Sequence, residues 1–136
     1  MTSQKWGRVR DCMKPGVTEV DGKLDVLSAM KVMKEVGATS LIVKRRDEHD
    51  EYGMLLFSDI AKKVIGPDRA PERVNVYEIM AKPVVTVKPD MHIRYCARLF
   101  ENFGIGHAPV EEYGKIIGIV SYYRLVLYGL KDLIDD

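Results

Sequence analysis

The apolar positions of this chain change their spacing along the sequence in an order that occurs twice. Residues such as Val26 and Met33 fall at helical spacing, whereas the short apolar runs that follow, bounded by polar turns, are typical of buried strands. Asp90 is a predicted N-cap, and Gly37 and Gly104 follow the two helices, where a left-handed residue is favoured. Each half therefore predicts a β-α-β-β-α unit. The first comprises Val17–Val20, Leu24–Val36, Ser40–Val43, Met54–Phe57 and a closing helix from about Ser58; the second comprises Val84–Val87, Ile93–Phe103, His107–Val110, Ile116–Val120 and a closing helix from about Ser121.

The two units form an internal repeat. An offset of 67 residues superposes Gly37 on Gly104, and after a shorter connection the offset falls to 65, which pairs Gly53 with Gly118. Two copies are too few for a solenoid, so we expect them to pack on each other. The predicted ranges are 9–66 for the first repeat, 74–130 for the second and 67–73 for the polar, proline-containing linker.

Two pairs of segments carry a family resemblance. They are Gly37-Ala-Thr-Ser-Leu-Ile-Val43 followed by Gly53-Met-Leu-Leu-Phe-Ser-Asp59, and Gly104-Ile-Gly-His-Ala-Pro-Val110 followed by Gly118-Ile-Val-Ser121. In this order, spacing and duplication, residues 9–128 resemble a tandem pair of cystathionine-β-synthase (CBS) domains, often called a Bateman module. The resemblance implies an α/β (α+β) fold in which two β-α-β-β-α repeats pack as a pseudo-two-fold pair and leave two related clefts.

The clefts of such pairs often hold an adenosine-containing ligand (AMP, ADP, ATP or S-adenosylmethionine), as a regulatory ligand rather than a required cofactor. The family motif places a Ser or Thr three residues before an Asp. The carboxylate can accept charge-assisted hydrogen bonds from the ribose hydroxyls, and a hydroxyl at a helix N-terminus lies where phosphate is favoured. Here the motif is split. The first copy has Leu56 and Asp59, and the second has Ser121 and Arg124, so only Asp59 offers a carboxylate.

The resemblance also implies which residues complete each cleft. The Asp59 cleft takes Val84, Val85, Ile105 and Gly106, with His107 beside it, and the second, degenerate cleft takes Val17, Thr18, Ala38, Thr39, Ser121 and Arg124. We expect the second cleft to be empty or to hold an anion. The polar residues also have structural interpretations: Asp59 as a helix N-terminal carboxylate, Ser121 as an N-cap, Arg124 as a surface or ion-paired residue and His107 as a strand residue with structural partners.

Composition narrows the classes of partner. Of the 136 residues, 21 are Lys or Arg and 20 are Asp or Glu, a net charge of +1 that gives no reason to expect nucleic acid. No apolar run reaches the roughly 18 residues of a membrane span, and the start of the chain lacks the apolar run of a signal peptide. Cys12 and Cys96 are too few for a disulfide framework, and we expect Cys96 to be buried. These features predict a cytoplasmic protein with no membrane contact.

The sequence shows no catalytic or metal-binding pattern. The three histidines, His49, His92 and His107, lack ligand spacing, and the residues around Ser121 do not form a nucleophile elbow. We therefore expect a ligand-sensing regulatory module that is not an enzyme and that signals to an unidentified effector on another chain. The alternative is a ligand-independent dimerisation or docking module. A homodimer is predicted by the apolar, tyrosine-rich closing helix, which contains Tyr122, Tyr123, Leu125, Val126 and Tyr128.

Overall fold

The computed structural model of the chain describes residues 6–135 and has the predicted mixed α+β fold. Its helices are α1 (Val9–Cys12), α2 (Val26–Val36), α3 (Phe57–Ile60), α4 (Val76–Ile79), α5 (Ile93–Phe103), α6 (Tyr122–Leu127) and α7 (Lys131–Ile134). Its strands are β1 (Lys14–Pro15), β2 (Glu19–Val20), β3 (Ser40–Val43), β4 (Gly53–Leu56), β5 (His107–Glu112) and β6 (Lys115–Ser121). A π-helical turn over Ala61–Ile65 continues α3, and a 3-10 turn covers Pro71–Arg73. The observed bounds of β3 and α5 match the predicted ones residue for residue.

The chain forms two compact units. Residues 18–84 form one, which we call the Asp59 unit, and the segments 6–17 and 85–135 together form the other, which we call the Arg124 unit. The sheet of the Asp59 unit has the strand order β2-β3-β4, and the sheet of the Arg124 unit has the order β1-β6-β5.

Isolated bridges give both sheets the same four-membered order. In the Asp59 unit, Ala81 forms an isolated bridge with Met54 on the outer edge of β4. This position corresponds to that of β1 beside β6 in the Arg124 unit. In the Arg124 unit, Val87 forms an isolated parallel bridge with Val110 of β5. This position corresponds to that of β2 beside β3 in the Asp59 unit. The central pairs β3–β4 and β5–β6 are antiparallel. The two units therefore repeat one topology.

The leading segment of each repeat is exchanged between the units. Helix α1 and β1 lie in the sequence range of the first repeat but belong to the Arg124 unit, whereas α4 and Ala81 lie in that of the second and belong to the Asp59 unit. The compact units thus differ from the predicted ranges 9–66 and 74–130, because each leading segment completes the sheet of the unit that holds the body of the other repeat. We call residues 9–15 and 76–81 the exchanged segments.

Local signals at the ends of the two long helices are mostly as predicted. Gly37 (φ 69°) and Gly104 (φ 63°) are left-handed C-caps of α2 and α5, a conformation in which a Cβ would be strained. The predicted N-cap at Asp90 is wrong, because α5 begins at Ile93 and its N-cap is His92, whose Nδ1 accepts the N–H of Arg94 at 3.1 Å.

Each unit has its own hydrophobic core. The most buried residues include Val26, Met33, Leu41, Leu55 and Ile79 in the Asp59 unit and Val9, Cys96, Phe100, Ala108 and Val120 in the Arg124 unit. Burial raises the pKa of Cys12 to about 11 and that of Cys96 to about 12, so both thiols are protonated at neutral pH. The predicted burial of Cys96 is confirmed. Within residues 6–135, no helix has the length and apolar character of a membrane span.

Ion pairs hold both exchanged segments near the ends of the hairpins. In the Arg124 unit, Arg10 Nη2 lies 2.7 Å from Glu112 Oε2 at the end of β5. In the Asp59 unit, Lys82, directly after the exchanged segment, contacts Asp50 Oδ2 at 2.8 Å, and Asp50 also accepts the N–H and Nε–H of Arg46. The Arg46 guanidinium and the Lys82 ammonium hold the pKa of Asp50 well below its usual range. The acidic β3–β4 turn is thus anchored at its Asp50 end.

Candidate ligand-binding site

Asp59 is the third residue of α3, the short helix that follows β4 directly. Its Oδ2 accepts the backbone N–H of Leu56 at 2.9 Å, which is the predicted helix N-terminal role. Within residues 6–135, no hydrogen bond or ion pair engages its Oδ1, and the side chain is partly exposed. Asp59 therefore combines a structural contact on one oxygen with a free acceptor on the other.

The lysine one helical turn beyond Asp59, Lys63, does not pair with its carboxylate. Lys63 lies four residues further on, at the usual spacing of a helical ion pair. Its Nζ instead donates to the carbonyl oxygen of Ile79, the last residue of α4, at 3.1 Å. The Asp59 carboxylate thus has no ion-pair partner among residues 6–135.

Arg124, which occupies the position equivalent to Asp59, is committed to backbone carbonyls. Its Nε donates to Cys12 O at 2.7 Å, its Nη2 approaches Met13 O at 3.4 Å, and its Cζ lies 4.3 Å from the centroid of the Tyr128 ring. The backbone N–H of Arg124 donates to Ser121 Oγ at 3.3 Å. Ser121 is thus the N-cap of α6, and the Arg124 side chain is a structural residue rather than an ion-paired one.

The loops before β3 and β5 place equivalent backbone groups against the closing helices. Gly106 O accepts the N–H of Tyr122 at 3.2 Å, and Thr39 O accepts the N–H of Phe57 at 3.3 Å. A Cβ at Gly106 would lie 3.5 Å from the Tyr122 ring, so a small residue fits there without displacing the aromatic side chain. Ile105–Gly106 and Ala38–Thr39 therefore hold equivalent places in the two units.

His107 lies opposite Ser121 in the β5–β6 register, although the resemblance assigned the two residues to different clefts. Directly opposed residues of an antiparallel pair project from the same face of the sheet. Burial lowers the pKa of the His107 imidazole below its usual value, so the ring is neutral at pH 7. At that pH, His107 can serve a phosphate as a neutral hydrogen-bond donor and not as a cation.

Each predicted residue set is divided between the two units. Of the first set, the Asp59 unit holds Asp59 and Val84, and the Arg124 unit holds Val85, Ile105, Gly106 and His107. Of the second set, the Asp59 unit holds Thr18, Ala38 and Thr39, and the Arg124 unit holds Val17, Ser121 and Arg124. Among residues 6–135, no group of three His, Cys, Asp or Glu side chains lies close enough to hold a metal ion.

Sequence reasoning missed Lys63 and assigned Tyr128 only to the predicted dimer interface, although these two residues contact the exchanged segment and Arg124, respectively. The 65-residue offset pairs Asp59 with Arg124 and Lys63 with Tyr128, so each copy carries one cation in this pair of positions. This difference in the position of the cation is visible in the sequence. The acceptors are main-chain carbonyls of the exchanged segments, which no side-chain pattern reveals.

Comparison with known proteins agrees with this architecture. The CBS domain family matches residues 76–131. The hexameric CBS-CP12 protein from bloom-forming cyanobacteria is 36% identical, with a TM-score of 0.88 over 94% of this chain and 73% of that one. A CBS-domain protein from Burkholderia ambifaria assigned to signal transduction is 30% identical, with a TM-score of 0.77 over 94% of this chain and 92% of that one.

Curated relatives are longer proteins. An uncharacterized protein of Methanopyrus kandleri is 35% identical over 91 residues, which are 65% of this chain and 45% of that protein. A homoserine O-acetyltransferase of Methanosalsum zhilinae is 34% identical over 114 residues, which are 83% of this chain but 22% of the enzyme. The chain thus spans less than half the length of these relatives.

The repeated topology and these matches define a tandem regulatory module of the ligand-binding type. The chain belongs to the CBS domain family and is a tandem CBS pair, as its sequence predicted.

Lowering the pH from 7 to 5 should destabilise the folded state through His107. Its pKa is lower in the folded than in the unfolded state, where it is about 6.5. The unfolded state therefore binds the proton first, and stability is lost as the pH falls through about 6.5 towards the folded pKa. Urea midpoints at pH 7, 6 and 5 should consequently fall less for His107→Gln than for the wild type.

The exposed imidazole of His49 provides the control. His49→Gln should follow the wild-type pH profile. Coincident profiles for wild type and His107→Gln would contradict the assignment.

Proposed function

We propose that this chain is a ligand-sensing regulatory module that binds an adenosine-containing ligand (AMP, ADP, ATP or S-adenosylmethionine) and signals to a partner protein. One observation carries the proposal. Asp59 has a carboxylate oxygen without a partner among the described residues, whereas its equivalent, Arg124, offers only donors that are already bound to carbonyls. The chain therefore has one ribose anchor, not two.

The contacts of Asp59 suit it to recognise a ribose. The Leu56 N–H holds Oδ2 and fixes the orientation of the carboxyl group, which leaves Oδ1 to accept a hydroxyl hydrogen. Hydrogen bonds to an ionised carboxylate are about twice as strong as neutral ones. The family resemblance assigns adenine to Val84, Val85, Ile105 and Gly106, and the phosphate or its equivalent to His107, and we retain this assignment as part of the proposal.

The second cleft should not bind a nucleoside in this way. Arg124 has no acceptor atom, and two of its donors are committed to Cys12 and Met13. Ser121 keeps its hydroxyl oxygen on the N–H of Arg124. We infer that the ligand regulates the module from one cleft, by binding more tightly to one conformation than to another.

Calorimetric titration with the four ligands tests the anchor. Asp59→Asn keeps an oxygen for the Leu56 N–H but loses the charge, and Asp59→Ala loses both. Loss of one charge-assisted partner should weaken binding by about ten- to a hundred-fold. A ligand at about 100 times its Kd should also stabilise the wild type by roughly 2.7 kcal/mol in thermal unfolding.

Asp47→Asn is the matched control, because the Asp47 carboxylate also accepts one backbone N–H, that of His49, at 2.8 Å, but belongs to neither cleft set. It should bind like the wild type. If none of the four ligands binds the wild type below millimolar concentration, the sensing function fails. If both Asp59 variants bind with wild-type affinity, the anchor is wrong.

A second function, docking through self-association, is favoured by the exposed apolar face of the C-terminal helices. Tyr123 is 65% exposed and Val126 is 52% exposed on α6, and Leu133 and Ile134 on α7 are also about half exposed. Apolar residues grouped on a surface typically mark an interaction site. Leu125 is buried in the core of its own unit, so this predicted member of the interface has an internal role instead. The CBS-CP12 relative is hexameric.

The wild type should therefore be a homodimer in solution, with a light-scattering mass of twice 15.4 kDa at tens of micromolar protein. Val126→Asp should lower the mass towards the monomer, because it places a charge in the buried interface. Tyr113→Asp, at a tyrosine that is 94% exposed in the β5–β6 turn, should leave the mass unchanged. A wild-type mass near 15.4 kDa would contradict the dimer.

A further inference from the structure

The last residue of each exchanged short helix presents its carbonyl to a cation of the closing helix. In the Arg124 unit, Arg124 Nε donates to Cys12 O at 2.7 Å, and in the Asp59 unit, Lys63 Nζ donates to Ile79 O at 3.1 Å. Cys12 ends α1 and Ile79 ends α4, and the 67-residue offset makes the two residues equivalent. The two units therefore satisfy the same main-chain acceptor with a positive charge.

The two cations do not occupy equivalent positions. The closing helix has two positions, four residues apart, that can reach this carbonyl: the first holds Asp59 or Arg124, and the second holds Lys63 or Tyr128. The Asp59 unit uses the second position, and the Arg124 unit uses the first. In the Arg124 unit the second position holds Tyr128, whose ring stacks on the guanidinium at 4.3 Å.

We propose that each unit needs one closing-helix cation to fasten its exchanged segment, and that the position of this cation decides which repeat can keep a carboxylate for ribose. Lys63 provides the cation from the second position, which leaves the first to Asp59. Tyr128 carries no positive charge, so Arg124 must provide the cation from the ribose position itself. The statement about ribose depends on the proposed function, whereas the statement that a cation fastens each exchanged segment does not.

The physical reason is the length of the exchanged helices. Helices α1 and α4 have four residues each, so only the first carbonyl, that of Val9 or Val76, accepts an N–H from its own segment. The last three carbonyls lie where intrahelical partners are absent and the dipole is negative. Beyond the short helix, β1 contributes two residues to its sheet, and Ala81 contributes a single bridge. The first turn of each helix is held by main-chain hydrogen bonds, such as Val9 N to Met91 O and Val76 N to Leu24 O, both at 2.8 Å, and the charge-assisted bond holds the opposite end of the helix.

A double-mutant cycle in urea tests the fastening. Arg124→Ala should lower the unfolding midpoint by roughly 1 M. Tyr128→Lys, which copies Lys63, should restore most of this loss in the Arg124→Ala background and should raise the wild-type midpoint little or not at all. In the other unit, Lys63→Tyr should lower the midpoint, and Asp59→Arg should restore it in that background.

Arg10→Ala is the matched control, because Arg10 lies on the same exchanged segment and its side chain, which pairs with Glu112 and Asp90, is 45% exposed. It should cost less than half the shift of Arg124→Ala. If Arg124→Ala does not accumulate as folded protein, Arg124→Gln, which keeps an N–H donor, is used in the same cycle. The proposal is overturned if Tyr128→Lys is no more favourable in the Arg124 variant than in the wild type.

The ligand readout uses the double variant Arg124→Asp/Tyr128→Lys, which reproduces the Asp59 and Lys63 pair in the Arg124 unit. Titration with AMP, ADP, ATP and S-adenosylmethionine should give two sites per chain where the wild type gives one. A stable double variant that still binds one ligand would show that cation placement does not control the second site. If the wild type binds none of the four, the proposed function fails, and the urea cycle alone decides the fastening.

Discussion

A helix of four residues leaves its last carbonyls without intrahelical partners, and each compact unit of this protein is completed by such a helix from the other repeat. The exchanged segments add the outer edge of each sheet through very few strand residues. Their attachment therefore depends on the buried residues of the short helices, on main-chain hydrogen bonds from the first turn of each helix and on the cation that meets the last carbonyl. Val9 and Cys12 in α1, and Val76 and Ile79 in α4, supply the buried contacts. Arg124 and Lys63 supply the charge.

This constraint explains why one duplicated motif has two different outcomes. Each closing helix must direct one positive charge at the exchanged segment, but two positions of the helix can do so. In the Asp59 unit, Lys63 provides the charge from the second of these positions. The first position is then occupied by Asp59, which accepts the Leu56 N–H with one carboxylate oxygen and has no partner among the described residues on the other. Where Tyr128 stands in place of Lys63, the first position is taken by Arg124. The absence of a carboxylate from this position in the second repeat is then a consequence of packing within its unit, and it accounts for the single nucleoside site that we propose.

The sequence predicted the local elements better than their partners. The bounds of β3 and α5 and the left-handed glycines at 37 and 104 follow from periodicity and from the cost of a Cβ at positive φ. The exchange could not be predicted, because an offset between two copies identifies the duplication and not which copy completes which sheet. Helices α1 and α4 were not predicted, because four residues give almost no periodic signal. The roles of Arg124 and Lys63 could not be predicted, because their acceptors are backbone carbonyls of distant segments of the chain.

Amide hydrogen–deuterium exchange, measured separately in the segments 9–15 and 76–81, tests the central claim most directly. Amide exchange would be followed on peptides covering 9–15 and 76–81 in the wild type, Arg124→Ala and Lys63→Ala under native conditions. The account predicts that Arg124→Ala raises exchange in 9–15 and leaves 76–81 at the wild-type rate, and that Lys63→Ala does the reverse, since each cation fastens the segment of its own unit. Equal increases in both segments for either variant, or no change in either, would contradict it.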